Sequence, residues 1–210
     1  MVQTAFVLDR MFFLVLPIIP LLILPFFRSI QLIRWFVLAF TSVIFLFSIY
    51  IFCPSVDSLA HNDLHRAAVG SEGLIDSLFL KYFSFGSISG AFVILTAFIT
   101  PISILAGWRY VHYKAFIYIM LILEFLLFLA FTLTNLFGFF IAFEAILIPM
   151  FLLIGVWGSR AEKITAAYYF FFYTLVGSIL LLISIMLIQI NCGSTTLGEM
   201  ALSTDLQYLL

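Results

Sequence analysis

The chain has 210 residues, of which 65% are hydrophobic and 9% charged, with a formal net charge of −1 and a mean hydropathy of +1.28. A soluble domain carries about a quarter charged residues, so this composition excludes a water-soluble globular domain and points to an all-α integral membrane protein. The near-zero charge also argues against a large nucleic-acid surface.

A spanning helix needs about twenty mostly apolar residues, and six segments qualify in chain order. The first runs over residues 11–27 and holds Pro17, Pro20 and Pro25. Neighbouring helices can re-satisfy the backbone groups that prolines free. No small-residue cleavage site follows it, so it does not read as a signal peptide. Arg28 and Arg34 flank a short turn, and the second span, 35–52, is closed by Cys53 and Pro54.

Residues 55–87 form the long polar stretch, with Asp57, His61, Asp63, His65, Arg66, Glu72 and Asp76. His61 and His65 have the i, i+4 spacing of a metal pair. Nothing apolar frames them, so a solvated loop is the favoured reading and no metal is expected. Residues 74–85 could form a short interfacial helix with Lys81 snorkelling.

The third span, 88–105, contains Pro101, which leaves the Ala97 carbonyl without its helical donor. An aromatic and basic boundary follows, from Trp108 to Lys114. The fourth span, 115–131, carries Glu124. Residues 132–135 make a tight turn into the fifth span, 136–156, which carries Glu144 and Pro149. A second boundary, with Trp157, Arg160, Glu162 and Lys163, leads to the sixth span, 165–190. The expected architecture is one membrane domain over 1–210 with about six transmembrane helices.

Basic residues orient the spans. Arg10, Arg66 and Lys81 lie on the side of the N-terminus; Arg28, Arg34, Arg109, Lys114, Arg160 and Lys163 lie on the other. The positive-inside rule places the second set inside and both termini, with the 55–87 loop, outside. Cys53 and Cys192 then share the outer boundary, where a disulfide is geometrically allowed but not favoured. Two apolar boundary cysteines are the simpler reading.

Glu144 is the centre of the pattern. Between Phe116 and Ser159 the only charged residues are Glu124 and Glu144. Charge at bilayer depth is costly, so an intramembrane acid is a functional-site hypothesis by default. Each glutamate is about ten residues from the turn near Asn135, or about 15 Å at the helical rise. That depth is the middle of a core about 30 Å thick. An acid that can hold or release a proton there suits a relay, with Glu144 as the relay acid and Glu124 as its candidate partner. The alternative is a neutral, hydrogen-bonded acid joining two helices. Pro149 favours the relay reading for Glu144, because the freed Ala145 carbonyl makes a helix break, and a place for water, beside the carboxyl.

The nine lysines and arginines all fall at boundaries or in loops, so an ionised Glu144 would need a cation from another chain. No dinucleotide fingerprint, P-loop, iron–sulfur cysteine set or mid-span histidine pair is present. Redox and nucleotide chemistry therefore have no seat here, and no cofactor is expected. A stand-alone membrane enzyme lacks a nucleophile-and-base pair.

Several stretches carry a family resemblance. Phe143-Glu144-Ala145, Leu147-Ile148-Pro149-Met150, Gly155-Val156-Trp157-Gly158-Ser159-Arg160 and Tyr173-Thr174-Leu175-Val176-Gly177-Ser178 resemble the chain 4 family of mitochondrial NADH-ubiquinone oxidoreductase, complex I. Phe92 to Thr96, Pro101, Gly107 and Trp108 are also similar, and Glu124 sits where plant-type versions carry an acid. The resemblance is specific from Phe92 to Ser178. It implies an antiporter-like subunit with inverted repeats and broken helices, in a complex coupling NADH oxidation and ubiquinone reduction to proton pumping. It also implies that Glu144 is the membrane glutamate that pairs with a lysine on a later helix.

This chain stops before that lysine and lacks the second repeat. The family's usual Asp-Gly-Ile-Ser is replaced by Gly86-Ser87-Ile88-Ser89. The resemblance thus implies the N-terminal half of a split or truncated subunit, with a second chain supplying the lysine. Other membrane-arm subunits and lipids would be its further partners, and the mitochondrial inner membrane its location. The 27 phenylalanines, which packing does not require, fit a T-rich organellar genome. A related cation/proton antiporter subunit and a non-pumping membrane scaffold are the alternatives.

Overall fold

The computed structural model describes residues 12–26, 29–52, 83, 87–109 and 113–192. The 55–87 loop, with His61 and His65, lies outside these residues except for Phe83 and the start of the third span. Cys53 and the chain after Cys192 lie outside them too. Every element among the described residues is helical: α1 (Ile18–Ile23), α2 (Ile30–Phe52), α3 (Ser87–Ala106), α4 (Tyr113–Thr132), α5 (Leu136–Trp157) and α6 (Lys163–Cys192). From α2 onward the five helices are long and apolar enough to cross a membrane. This is a multi-pass membrane protein.

The first expected span is the exception. α1 is the middle of a shorter helical stretch, Phe12–Phe26, about 22 Å long at the helical rise. Its prolines explain the irregularity. Pro20 has no N–H for the Leu16 carbonyl, which instead accepts from Ile19 N at 3.2 Å. The chain turns at Leu16 and Pro17, and Pro25 falls in a closing 3-10 turn, Leu24–Phe26. A second difference lies in α2, which begins at Ile30 rather than at Trp35. Arg34 is therefore a helical residue, where the sequence suggests a turn. Nothing in Ile30–Arg34 opposes a helix, and the charge alone marked the expected boundary.

The chain divides into two compact units, residues 1–132 and 133–210. In the first, α2, α3 and α4 pack against one another and α1 packs on α4. Each long helix buries one stripe at the 3.6-residue period. On α2 it is Ile33, Val37, Thr41, Ile44, Ser48 and Ile51. On α4 it is Tyr113, Ile117, Leu121, Glu124 and Phe128. The α3 stripe runs through Gly90, Val93, Ala97, Thr100, Ile104 and Gly107. Its small residues let neighbouring rings close in, as is common between membrane helices. The Phe52 ring packs directly on Gly90 and the Phe116 ring on Gly107.

The two ends of the unit differ. Towards the α4 C-terminus, Phe13 stacks on Phe128 at 5.1 Å and meets the Phe47 and Phe52 rings at 6.1 Å. At the opposite end, the Arg34 guanidinium lies over the rings of Tyr113 and Trp108, 4.5 and 5.3 Å from their centroids. Trp35 meets Trp108 edge-on at 5.7 Å. Arg34 thus settles its boundary charge on aromatic faces.

The second unit is the antiparallel pair α5 and α6. Asn135 caps α5, its Oδ1 accepting from Phe137 N at 2.9 Å, as the N-cap position requires. The connection after Trp157 is tight. Gly158 N–H bonds the Ile154 carbonyl at 3.1 Å, and a β-carbon on Gly158 would collide with that carbonyl and with Lys163. The Gly-Val-Trp-Gly-Ser-Arg stretch is therefore a helix stop and reversal.

Candidate proton-relay sites

Glu144 sits in the middle of α5 and is partly buried. Pro149 is buried five residues on, yet α5 is continuous through it. The expected helix break is thus reduced to one missing bond, the donor that would have met the Ala145 carbonyl. Bonds on either side keep the helix in one piece. Ala142, Leu147 and Pro149 are the buried positions of α5.

Ring contacts set the α5–α6 register. Phe151 meets Tyr168 at 5.4 Å and Phe171 at 5.8 Å. Two turns back along α5 from Phe151 is Glu144, and two turns forward along α6 from Phe171 is Ser178. Ser178 is buried and its hydroxyl donates to the Leu175 carbonyl at 2.8 Å. A β-carbon on neighbouring Gly177 would meet nothing within 4 Å. At the level of Glu144, then, α6 offers small side chains and no charge. The cations of residues 133–210 are Arg160, in the connection between the helices, and Lys163, the first residue of α6. Lys163 Nζ is engaged there, donating to the Val156 carbonyl at 2.7 Å.

Glu124 has a different setting. It occupies a core position of the α4 stripe and is 1% exposed. Thr100 on α3 lies beside its carboxyl, but the Thr100 hydroxyl donates to the Thr96 carbonyl at 2.9 Å. Neither carboxyl oxygen has a hydrogen-bond partner among the described residues. The Ser48 hydroxyl, also fully buried, is likewise unpartnered there.

Each acid is thus placed within its own unit, Glu124 with Thr100 and Glu144 at the level of Ser178. Thr100 escapes a reading of the sequence that looks for charge. Its signal is the Thr96, Thr100, Pro101 pattern, two hydroxyls one turn apart and then a proline.

Comparison with known proteins follows the same line. Residues 133–208 match the family described as NADH:quinone oxidoreductase/Mrp antiporter, TM. That segment includes Glu144, Pro149 and the whole α5–α6 pair. The chain is similar to NADH-ubiquinone oxidoreductase chain 4. It is 39% identical to chain 4 of Prototheca wickerhamii over 178 residues, 83% of this chain and 33% of that protein. It is 38% identical to chain 4 of Acanthamoeba castellanii over 159 residues, 75% of this chain and 32% of that protein. Against chain 4 of Arabidopsis thaliana it is 46% identical over 126 residues, 59% of this chain and 25% of that protein. The chain spans a quarter to a third of the length of these chain 4 relatives.

Proposed function

We propose that this chain is part of a proton-translocating membrane subunit of an NADH:ubiquinone oxidoreductase, equivalent to one portion of chain 4, with Glu144 as the relay acid. The observation that carries the reading is the setting of Glu144. It lies mid-helix and partly buried in the segment that matches the antiporter family, and its own unit has no cation at its depth. A carboxylate there needs a positive partner, and helices outside this sequence would supply it.

In this proposal helices outside this sequence carry a lysine facing Glu144. Proton loading of the pair alternates between the glutamate and the lysine, and the Ala145 carbonyl freed by Pro149 holds water on the path. Glu124 is the candidate relay partner on α4. The NADH and ubiquinone chemistry belongs to other subunits of the complex. The setting is the mitochondrial inner membrane, with the Arg34 and Lys163 ends facing the matrix and both termini on the intermembrane-space side.

A second reading has one observation behind it: the matched family description also names Mrp antiporters. Here the same acid would exchange protons for another cation, with no NADH-linked activity.

Glu144→Gln tests the assignment, since it keeps the shape and removes the titrating proton. Proton pumping is expected to fall by at least about tenfold, the effect of removing a proton-transfer group, while the complex still assembles. Normal pumping in a complex whose yield has dropped would instead identify Glu144 as a structural link between helices.

A further inference from the structure

The buried layer around Glu124 has a one-sided hydrogen-bonding character. The Thr100 hydroxyl gives its hydrogen to the Thr96 carbonyl, and the Thr96 hydroxyl gives its own to the Phe92 carbonyl at 2.8 Å. On α2, the Thr41 hydroxyl donates to the Val37 carbonyl at 2.9 Å. Pro101 adds one more acceptor, the Ala97 carbonyl it leaves without a donor. A hydroxyl that has spent its hydrogen keeps its lone pairs. Thr100, the α3 side chain beside Glu124, therefore has its hydrogen engaged and lone pairs free to accept.

Among the described residues no charged group lies beside the acid. α4 packs on α1, α2 and α3. Among their described residues the titratable side chains are Arg34 and Tyr50, both towards the ends of α2. Arg34 is engaged with Trp108 and Tyr113, and Tyr50 is exposed. On α4 itself, Tyr113, Lys114 and Tyr118 lie between the basic end and Leu121, with Leu121 and Ile117 buried between that end and Glu124. A carboxylate among acceptors, without a cation, is costly to bury. A carboxylic acid fits, because its O–H supplies the missing donor.

We propose that Glu124 and Thr100 form a proton-binding site within the 1–132 unit, in which the Glu124 carboxyl holds one exchangeable proton and donates it to Thr100 Oγ1. Binding is the addition of one proton to one carboxylate oxygen, and release returns it. The site needs no cation from elsewhere and stands whether or not Glu144 relays protons.

Infrared spectroscopy of the isolated membrane complex containing this chain tests it, through the C=O stretch of protonated carboxyl groups. At neutral pH the wild-type minus Glu124→Gln difference is expected to show the loss of one protonated-carboxyl band, and that band shifts in heavy water. Glu144→Gln leaves the band in place. Thr100→Val moves it to higher frequency without loss of area, and Thr100→Ser restores it. A carboxylate stretch in place of the protonated band, a band that responds to sodium ions, or a band unmoved by Thr100→Val would overturn the proposal. If Glu124→Gln fails to assemble, the Thr100→Val result decides alone.

Discussion

The Lys163 ammonium donates to the Val156 carbonyl at 2.7 Å, across the turn that joins α5 to α6. That carbonyl is in the last turn of α5, where orphan acceptors and the helix dipole both favour a cation. It lies about 18 Å along the helix from Glu144. The lysine is thereby assigned to closing the hairpin and not to balancing the acid. Lys163→Met is expected to cost about 1 kcal/mol and lower the thermal midpoint slightly, while leaving pumping per assembled complex unchanged. A pumping loss as deep as that of Glu144→Gln would show that Lys163 belongs to the relay.

The Phe52 ring of α2 lies where a β-carbon on Gly90 of α3 would stand. A β-carbon at position 90 must displace the Phe52 ring from a position where it also meets Phe13. Gly90→Ala should destabilise the 1–132 unit by about 1–3 kcal/mol, the usual cost of overpacking. Adding Phe52→Leu should return part of that loss. The thermal midpoint of the purified complex, and protease sensitivity of the α2–α3 region, report both effects.

Arg34 rests on Tyr113 and Trp108 without a hydrogen bond to its buried Nε among the described residues. A desolvated cation–π contact contributes up to about 2 kcal/mol. Arg34→Met keeps much of the aliphatic packing and loses the charge. It should lower stability by about 1–2 kcal/mol, and Arg34→Lys should recover a fraction. The emission of Trp108 is expected to shift in the methionine variant, since its guanidinium neighbour is gone.

Glu124→Leu separates stability from function at the buried acid. The carboxyl fills a core position, and even with its O–H bonded to Thr100 its carbonyl oxygen has no hydrogen-bond partner among the described residues; an unsatisfied buried polar group costs about 1–3 kcal/mol. Replacement by leucine should leave the unit as stable as before or more so, as read by its thermal midpoint. A large destabilisation would mean that the bond from the carboxyl to Thr100 outweighs the cost of burying the acid.

Much of this organisation is legible in the residues themselves. The apolar runs mark the five long helices because spanning helices carry little else, and Asn135 and Gly158 mark the ends of α5 through capping chemistry. The length of α1 is less visible, since hydropathy registers its leucines and isoleucines but not how three prolines divide their backbone bonds. Arg34 reads as a loop residue because charge is counted by position, whereas its place depends on which aromatic rings it meets in space. At the acids, depth is readable from distance to the turn. The difference between Glu124, enclosed beside Thr100, and Glu144, partly open, depends on helix rotation and on partners from other helices. Both helices are apolar nearly all round, so no single-helix pattern shows that rotation.

The central claim is that Glu144 works against a cation held outside this sequence. Gentle isolation of the native membrane complex, with peptide mass spectrometry and an NADH:quinone activity assay, tests it most directly. The account expects this chain to travel with a large, active complex in which peptides resembling the remaining portion of chain 4, including a membrane lysine, are also found. A chain that runs alone, or only with antiporter subunits and without NADH-linked activity, would contradict it.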